Sequence, residues 1–256
     1  MQKINQTAMK KKLVVSTGAG ISAESGIRTF RDADGLWENY PVMEVASADG
    51  FRRNPELIHH FYNERRRQLV QAKPNAAHSA LVELEKDFDV YIITQNVDDL
   101  HERAGSENVL HLHGELMKIR SVRNPDYVES LDIEHLETSP ATRGRNGDYM
   151  RPHIVFFQEP VPNMEAAAEL AREADIFVVI GTSLVVYPAA GLINYVRPGT
   201  PIYYIDPAPA QFDGTEEERM QPEGAVYHVR SVPGLTVIKD TATRGMKVLA
   251  RLLAGK

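Results

Sequence analysis

The sequence predicts an α/β fold: a parallel β-sheet flanked by helices, carrying a small inserted domain. Three observations predict it. Short β-branched runs alternate with helical patterns along most of the chain, as in sheets built of parallel strands joined by helical crossovers. A glycine-rich turn, Thr17-Gly18-Ala19-Gly20, follows the first of those runs directly. Two stretches, 32–73 and 120–151, interrupt the rhythm and mark an insertion.

Strands are expected near 12–16, 90–94, 153–157, 176–180, 201–205 and 225–228, and helices near 76–86, 164–173, 189–195 and 243–253. Asn75 is placed to cap the first of these helices, with Pro74 just ahead. Stretch 32–73 holds no convincing sheet strand but does hold a strong helix. Asn54 can cap it, Pro55 suits its first turn, and Leu57, Ile58, Phe61, Arg65 and Leu69 follow helical spacing. Stretch 120–151 is polar and contains Pro125, Pro140, Gly144 and Gly147, so it reads as an irregular module or a mobile loop. The expected sheet domain therefore comprises 9–31, 74–119 and 152–256, and the inserted domain 32–73 and 120–151. Residues 1–8 read as a disordered leader ahead of Met9.

A chain of 256 residues can bury a sizeable core without staples. It has no cysteine, which excludes disulfides, cysteine-ligated zinc, iron–sulfur clusters and a thiol nucleophile. The net charge of -6 argues against nucleic acid as the main partner. Lys10-Lys11-Lys12 before Leu13-Val14-Val15 has the basic edge of a signal peptide, yet the apolar run stops at Ser16. No run approaches a membrane span, so a cytoplasmic protein without a membrane partner is expected.

Gly18, Gly20 and Ala23 satisfy the strand–GxGxx(G/A)–helix pattern. Such glycines let the backbone approach a pyrophosphate, and the following helix offers free N–H groups. A glycine turn without a ligand satisfies the same pattern. The dehydrogenase version also wants an acidic residue at the end of the second strand, about 20 residues on. Here that interval holds Thr29-Phe30-Arg31-Asp32 with no strand before it, so a Rossmann-like dinucleotide loop is supported and hydride transfer is not.

The words around that turn carry a resemblance. Residues 18–27 (GAGISAESGI), then Phe30-Arg31, are similar to the NAD-binding signature of sirtuins. Three further blocks follow in the family's order: TQNVDDLH at 94–101, His113-Gly114-Glu115, and GTSLVVYPAA at 181–190. The similarity spans about 11–253.

The resemblance implies NAD as cofactor, with Gly18, Ala19, Gly20 and Gly181 in its binding loops. It also implies that Ala19, Ile27, Phe30, Asn96 and Asp98 line the nicotinamide end, Asp98 meeting the carboxamide. Ser22 and Arg31 would hold the phosphates and the loop over them, and Gln95 would contact the adjacent ribose. Thr182, Ser183 and Asp206 follow strands, where ligands of such sheets bind. Asp206 before Pro207 also reads simply as a turn-capping aspartate.

His113, with Asn96 beside it, is the expected catalytic residue. The implied reaction needs a neutral imidazole to take a proton from a ribose hydroxyl, and histidine's ordinary pKa suits that task. The alternative is a strand histidine satisfied by hydrogen bonds. His111-Leu112-His113 also suggests a metal pair, but two histidines alone make a poor site. His59, His60 and His101 need only structural explanations.

Tyr62 and Arg65 are three apart on the helix after Asn54, hence on one face. An arginine fork and a phenol together match a carboxylate. This Tyr-x-x-Arg pair is similar to that of sirtuins which remove succinyl and malonyl groups, and Ala46 falls where that branch keeps a small side chain. The competing reading is that Arg65-Arg66-Arg67 is a solvated charge run.

Two departures stand out. Sirtuins ordinarily hold a structural zinc on four cysteines after the His-Gly-Glu block. Here Ser121 stands about where the first would fall, and no ligand spacing emerges, so no metal is expected. Gln158 stands where the family usually has glycine, in the strand that clamps the substrate peptide, and is expected to alter peptide preference. The leading expectation is an NAD-dependent lysine deacylase for succinyl, malonyl and, second, acetyl groups on protein lysines. An NAD hydrolase or mono-ADP-ribosyltransferase of the same fold, and a non-catalytic NAD-sensing module, are the alternatives.

Overall fold

The structure, a computed structural model, describes residues 10–28, 36–37, 40–184, 186–210, 216–221, 224–229 and 234–254. The first part of the chain runs β1 (Lys11–Thr17), α1 (Gly20–Ala23), β2 (Leu36–Trp37), β3 (Tyr40–Pro41), α2 (Val42–Val45), α3 (Ala48–Arg53) and α4 (Pro55–Gln71). Next come α5 (Ala76–Leu84), β4 (Phe88–Thr94), α6 (Leu100–Ala104), β5 (Val109–His111), β6 (Gly114–Ser121), β7 (Val128–Ser130) and β8 (Met150–Ile154). The rest comprises α7 (Met164–Glu173), β9 (Ile176–Ile180), a 3-10 helix (Ala189–Tyr195), β10 (Ile202–Ile205), β11 (Glu216–Gln221), β12 (Gly224–Val229), β13 (Leu235–Ile238) and α8 (Ala242–Ala254).

The main sheet has the strand order β11-β12-β13-β10-β9-β1-β4-β5. From β13 to β5 all neighbours are parallel, while β11 and β12 form an antiparallel edge. Alternation along each strand explains the two-sided burial. Leu13 and Val15 pack on one face with Leu81 of α5 and Leu249 of α8, whereas Val14 faces the other with Ala167 and Ala171 of α7. Ile176, Val178 and Ile180 join the first core, and Phe177 and Val179 the second.

The two caps behave as their chemistry dictates. The Asn54 side chain accepts from Leu57 N at 3.0 Å, with Pro55 at the first position of α4. Asn75 accepts from Ala77 N at 2.8 Å, and its own N–H donates to His78 Nδ1 at 3.2 Å.

Stretch 120–151 is not an irregular loop throughout. β6, β7 and β8 form a separate antiparallel sheet in the order β7-β6-β8, and β6 and β8 cross residues 119–120 and 151–152. The strand expected at 153–157 lies three residues earlier and belongs to this small sheet, not the parallel one. Pro152 is tolerated because β8 is an edge strand. Beyond Ile154 the chain bridges instead: Phe157 N donates to Ala46 O at 2.8 Å and Ala48 N to Phe157 O at 3.1 Å. Stretch 32–73 does contain strands, the two-residue pair β2–β3. The helix expected at 189–195 is 3-10, consistent with burial of Ala189 and Leu192 at a spacing of three. β5, β6, β7, β11 and β13 were not among the expected strands.

A third core joins α4 to the small sheet through Ile58, Phe61, Tyr62, Leu116, Ile154 and Phe156. Arg66, fully buried, fastens it by donating to Leu116 O at 2.8 Å, Asn63 Oδ1 at 2.7 Å, Leu136 O at 3.2 Å and Thr138 Oγ1 at 3.1 Å. Among the described residues no helix is long and apolar enough to cross a membrane.

Candidate active site

Five adjacent parallel strands deliver the site from their carboxyl ends. β1 ends at Gly18-Ala19-Gly20, β4 at Gln95–Asp98, β9 at Gly181-Thr182-Ser183, and β10 at Asp206, while β5 leads to His113. Because β1 pairs with β4 on one side and β9 on the other, the chain order reverses there, which opens a crevice for a ligand. All these residues line one cleft of about 920 Å³, together with Ser22, Ile27, Ala46, Tyr62 and Arg65. Phe30 and Arg31 lie outside the described residues.

The glycines have a cause that the sequence did not disclose. Gly18 N donates to Ile180 O at 2.9 Å and Gly20 N to Gly181 O at 2.8 Å, so the turns after β1 and β9 are in contact. A Cβ on Gly20 would lie 2.5 Å from Gly181 Cα, and one on Gly18 2.7 Å from Gly181 O. Any side chain there would force the two turns apart.

Asn96, Asp98 and Ser22 form a connected floor. Ser22 Oγ donates to Asp98 Oδ2 at 3.0 Å, and Asn96 Nδ2 donates to Ser22 Oγ at 3.1 Å and Gly18 O at 3.2 Å. Ser22, expected beside the phosphates, lines the cleft and commits its hydroxyl proton to Asp98. Burial pushes Asp98 up to about 6, against the lowering effect of hydrogen bonds from Leu100 N and Ser22. Gln95 Nε2 donates to Thr182 Oγ1 at 3.3 Å, tying the β4 turn to the β9 turn. Asp206 both lines the cleft and caps its turn, accepting from Ala208 N at 2.8 Å, so the two readings of this residue coexist.

His113 Nδ1 lies 3.0 Å from Gln95 O. A carbonyl oxygen can only accept, so Nδ1 carries the proton and Nε2 keeps its lone pair. Burial holds this imidazole below its ordinary 6.5, with the Gln95 bond opposing. His113 is thus a neutral base of fixed tautomer at pH 7. Gly114 follows at φ 86°, where a Cβ would come 2.0 Å from His153 O.

Tyr62 and Arg65 are buried on α4, and Ala46, also buried, lines the same cleft. The fully buried Tyr62 hydroxyl has no hydrogen-bond partner among the described residues. Trp37 packs edge-on against Tyr62, ring centroids 6.2 Å apart, and also lines the cleft. As the only tryptophan, in an otherwise polar stretch, Trp37 could have been singled out from the sequence. The charge-run reading fails for Arg65 and Arg66, which are buried; only Arg67 is solvated, pairing with Glu137. His111, weighed from the sequence only as half of a metal pair, lies behind the floor against Glu102, which the sequence reading did not single out.

Residues 18–188 match the Sir2 family. The chain belongs to that family. Among similar Sir2 proteins is the NAD-dependent protein deacylase of Bacteroides thetaiotaomicron, 51% identical over 230 residues, covering 89% of this chain and 98% of that one. That of Aggregatibacter actinomycetemcomitans is 55% identical over 201 residues, 78% and 95% of the two chains. Among solved structures, a Sir2 homologue in complex with NAD superposes with a TM-score of 0.76 at 37% identity, covering 96% and 90%. A mutant Sir2 homologue with ADP-ribose gives 0.79 at 36%, covering 96% and 93%.

The small sheet β7-β6-β8 lies in the segment where the resemblance would place a structural zinc. Its residues do not fit a structural zinc: there is no cysteine, and among the described residues no group of three or more His, Asp or Glu gathers. Ser121 is the last residue of β6 and its Oγ accepts from Arg123 N and Asn124 N, both at 3.0 Å. The same hydroxyl donates to Asp148 Oδ2 at 2.7 Å, and Asn146 Nδ2 donates to that oxygen at 3.0 Å. A hydrogen-bonded Ser–Asp link therefore joins the two arms of the module. Gln158 adopts φ 76°, the left-handed region that favours glycine. Its side chain accepts from Asp49 N at 3.1 Å and donates to Asp49 Oδ2 at 2.8 Å, pinning the 156–159 turn to α3.

Proposed function

We propose that this Sir2 protein is an NAD-dependent protein lysine deacylase that favours succinyl- and malonyl-lysine and accepts acetyl-lysine as a second substrate. The general activity, NAD-dependent protein deacylation, follows from family membership and from relatives about half identical over most of the chain. The acyl preference is our reading of the cleft.

When bound, NAD would supply a ribose carbon that exchanges nicotinamide for the amide oxygen of the acyl-lysine and a neighbouring ribose hydroxyl that takes the acyl group, with one water consumed to give nicotinamide, 2'-O-acyl-ADP-ribose and free lysine. Gly18, Gly20, Gln95, Thr182, Ser183 and Asp206 would hold it along the carboxyl edge of the sheet. The Asn96–Asp98–Ser22 floor would meet the nicotinamide, Asp98 accepting from the carboxamide. His113, neutral and with Nε2 basic, would take the proton from a ribose hydroxyl.

One observation carries the acyl preference: Tyr62 and Arg65, a helical turn apart, are both buried and line the same cleft as His113. An unpaired buried hydroxyl costs about 1–3 kcal/mol, so the Tyr62 O–H is a site for a ligand acceptor. Burial also pushes its pKa far up, keeping it a donor at any working pH. A guanidinium beside it supplies the charge that a terminal carboxylate matches. An acetyl group would leave the Tyr62 hydroxyl unanswered.

Incubation with NAD and matched succinyl- and acetyl-lysine peptides, followed by mass spectrometry, tests the reading. We expect faster desuccinylation with acyl-ADP-ribose as product. Plain ADP-ribose without peptide turnover would instead identify an NAD hydrolase, and no turnover a cofactor sensor.

A further inference from the structure

Behind the cleft floor stands a histidine that the reaction does not use. His111, buried at the end of β5, has Nδ1 3.0 Å from Asn96 O and Nε2 2.7 Å from Glu102 Oε1. Both partners are acceptors. A neutral imidazole has one N–H and could serve only one of them, whereas an imidazolium serves both. The geometry therefore makes His111 a cation. Consecutive carbonyls of the β4 turn thus take one histidine each, Gln95 O from His113 and Asn96 O from His111. Asn163 Nδ2, at the head of α7, donates to His111 O at 2.8 Å and fixes the residue from the other side.

The charge has a nearby purpose. Asp98 is almost fully buried, and the charge of His111 is among the influences that favour its ionised form. We propose that His111 and Glu102 are a positioning pair: His111 holds the Asn96 peptide in place and supplies the positive charge that keeps Asp98 a carboxylate. The inference rests on the reading that Asn96 and Asp98 receive the nicotinamide end of NAD.

The groups facing His111 are Glu102 and His101 on α6, Glu115 on β6 and Asp98 on the β4 turn. Burial opposes the charge on His111, but the Glu102 hydrogen bond and the carboxylates of Glu102 and Glu115 outweigh it, so His111 titrates above its ordinary value. His101, with its pKa lowered to about 3, is neutral and does not compete.

The test is NAD affinity by calorimetry from pH 5.5 to 8.5, measured in a His113→Ala background so that the base does not contribute a titration. Glu102→Gln is isosteric and its site is partly exposed, so the variant is expected to fold. It removes the carboxylate that keeps His111 charged. We expect NAD binding on the order of fivefold weaker at pH 6 and within about twofold of the parent at pH 8.5, because Asp98 then protonates more readily. Glu102→Asp, which restores the charge, should recover most of the loss at pH 6. In parallel, a long-range proton–nitrogen spectrum of the unmodified protein, assigned with His111→Asn, should show both His111 ring nitrogens protonated at pH 7.5. Equal weakening at every pH, no weakening, or a neutral His111 would each overturn the proposal. Failure of the His113→Ala parent to bind NAD at any pH would overturn it too, and would do so by removing the site reading before Glu102 is changed.

Discussion

The Nδ1–H of His113 donates to the main-chain oxygen of Gln95 at 3.0 Å. That single contact converts a histidine that sequence alone leaves ambiguous into a base with its proton on a known nitrogen. It also ties the base to the turn that holds Asn96 and Asp98, so the candidate base and the candidate nicotinamide floor share one rigid support.

His113→Ala should reduce kcat for deacylation by about 100- to 10,000-fold, the usual contribution of a general base. NAD binding should change little. Steady-state kinetics with parallel binding titrations check this, and a variant retaining most of its kcat would show that proton abstraction lies elsewhere. In the unmodified protein the acid limb should fall below pH 6.5, because burial lowers the pKa of His113 and its neutral form is the active one.

Four other histidines, His59, His78 and His101 buried and His153 half-buried, predict how stability depends on pH. Burial lowers His59, His78 and His153 to about 4 and His101 to about 3, from an ordinary 6.5. In each case the unfolded chain binds the proton more readily than the folded one. The stabilisation is thus complete above pH 6.5 and is lost as pH falls toward 4, at roughly 1 kcal/mol per histidine per pH unit. His111 acts in the opposite sense, since its folded pKa is raised. Thermal unfolding from pH 8 to 4.5 should show a flat plateau and then a steep fall beginning near 6.5. A protein equally stable at 7.5 and 5 would contradict the neutral burial of these side chains.

Ser121→Ala should destabilise the small sheet by about 2 kcal/mol, since it strips the acceptor from two backbone N–H groups and the donor from Asp148. Denaturant unfolding measures the loss. Because the module holds no donor set for zinc, prolonged treatment with a strong chelator should leave both the melting temperature and the deacylation rate unchanged.

Gln158→Gly should leave global stability nearly unchanged. Glycine relieves the φ of 76°, worth roughly 1 kcal/mol, while two exposed hydrogen bonds to Asp49 are lost. The expected change is in peptide preference, because the 156–159 turn is released from α3. Rates across a peptide panel that vary in flanking sequence should spread or reorder by severalfold. An unchanged ranking would confine Gln158 to a structural role.

The parallel sheet was legible in the sequence because its strands are buried on both faces and therefore appear as continuous β-branched runs, as at Ile176–Ile180. α4 was legible from Asn54, Pro55 and a helical apolar spacing. β6 and β7 were not, since GELMKIRS and VES carry the polar residues of a small half-exposed antiparallel sheet, and the pairing partner Met150–Ile154 lies far along the chain. The site residues were legible as family words, not as physics. What the words could not convey is the connection: Ser22 to Asp98 and Gln95 to Thr182 are contacts between segments distant in sequence, and His111 to Glu102 joins β5 to α6. Gly20 illustrates the difference, because its small size serves the approach of Gly181, which no reading of its own neighbourhood could reveal.

The carboxylate clamp is the central claim, and paired kinetics test it most directly. kcat/KM would be measured on succinyl-, malonyl- and acetyl-lysine versions of one peptide for the unmodified protein, Tyr62→Phe and Arg65→Met. Removing a charge-assisted or buried hydrogen bond to a carboxylate should lower desuccinylation and demalonylation by about 10- to 100-fold. Deacetylation should stay within about threefold, or rise, so that the preference inverts in Arg65→Met. Equal losses on all three peptides would contradict the clamp and reduce Tyr62 and Arg65 to parts of the cleft wall.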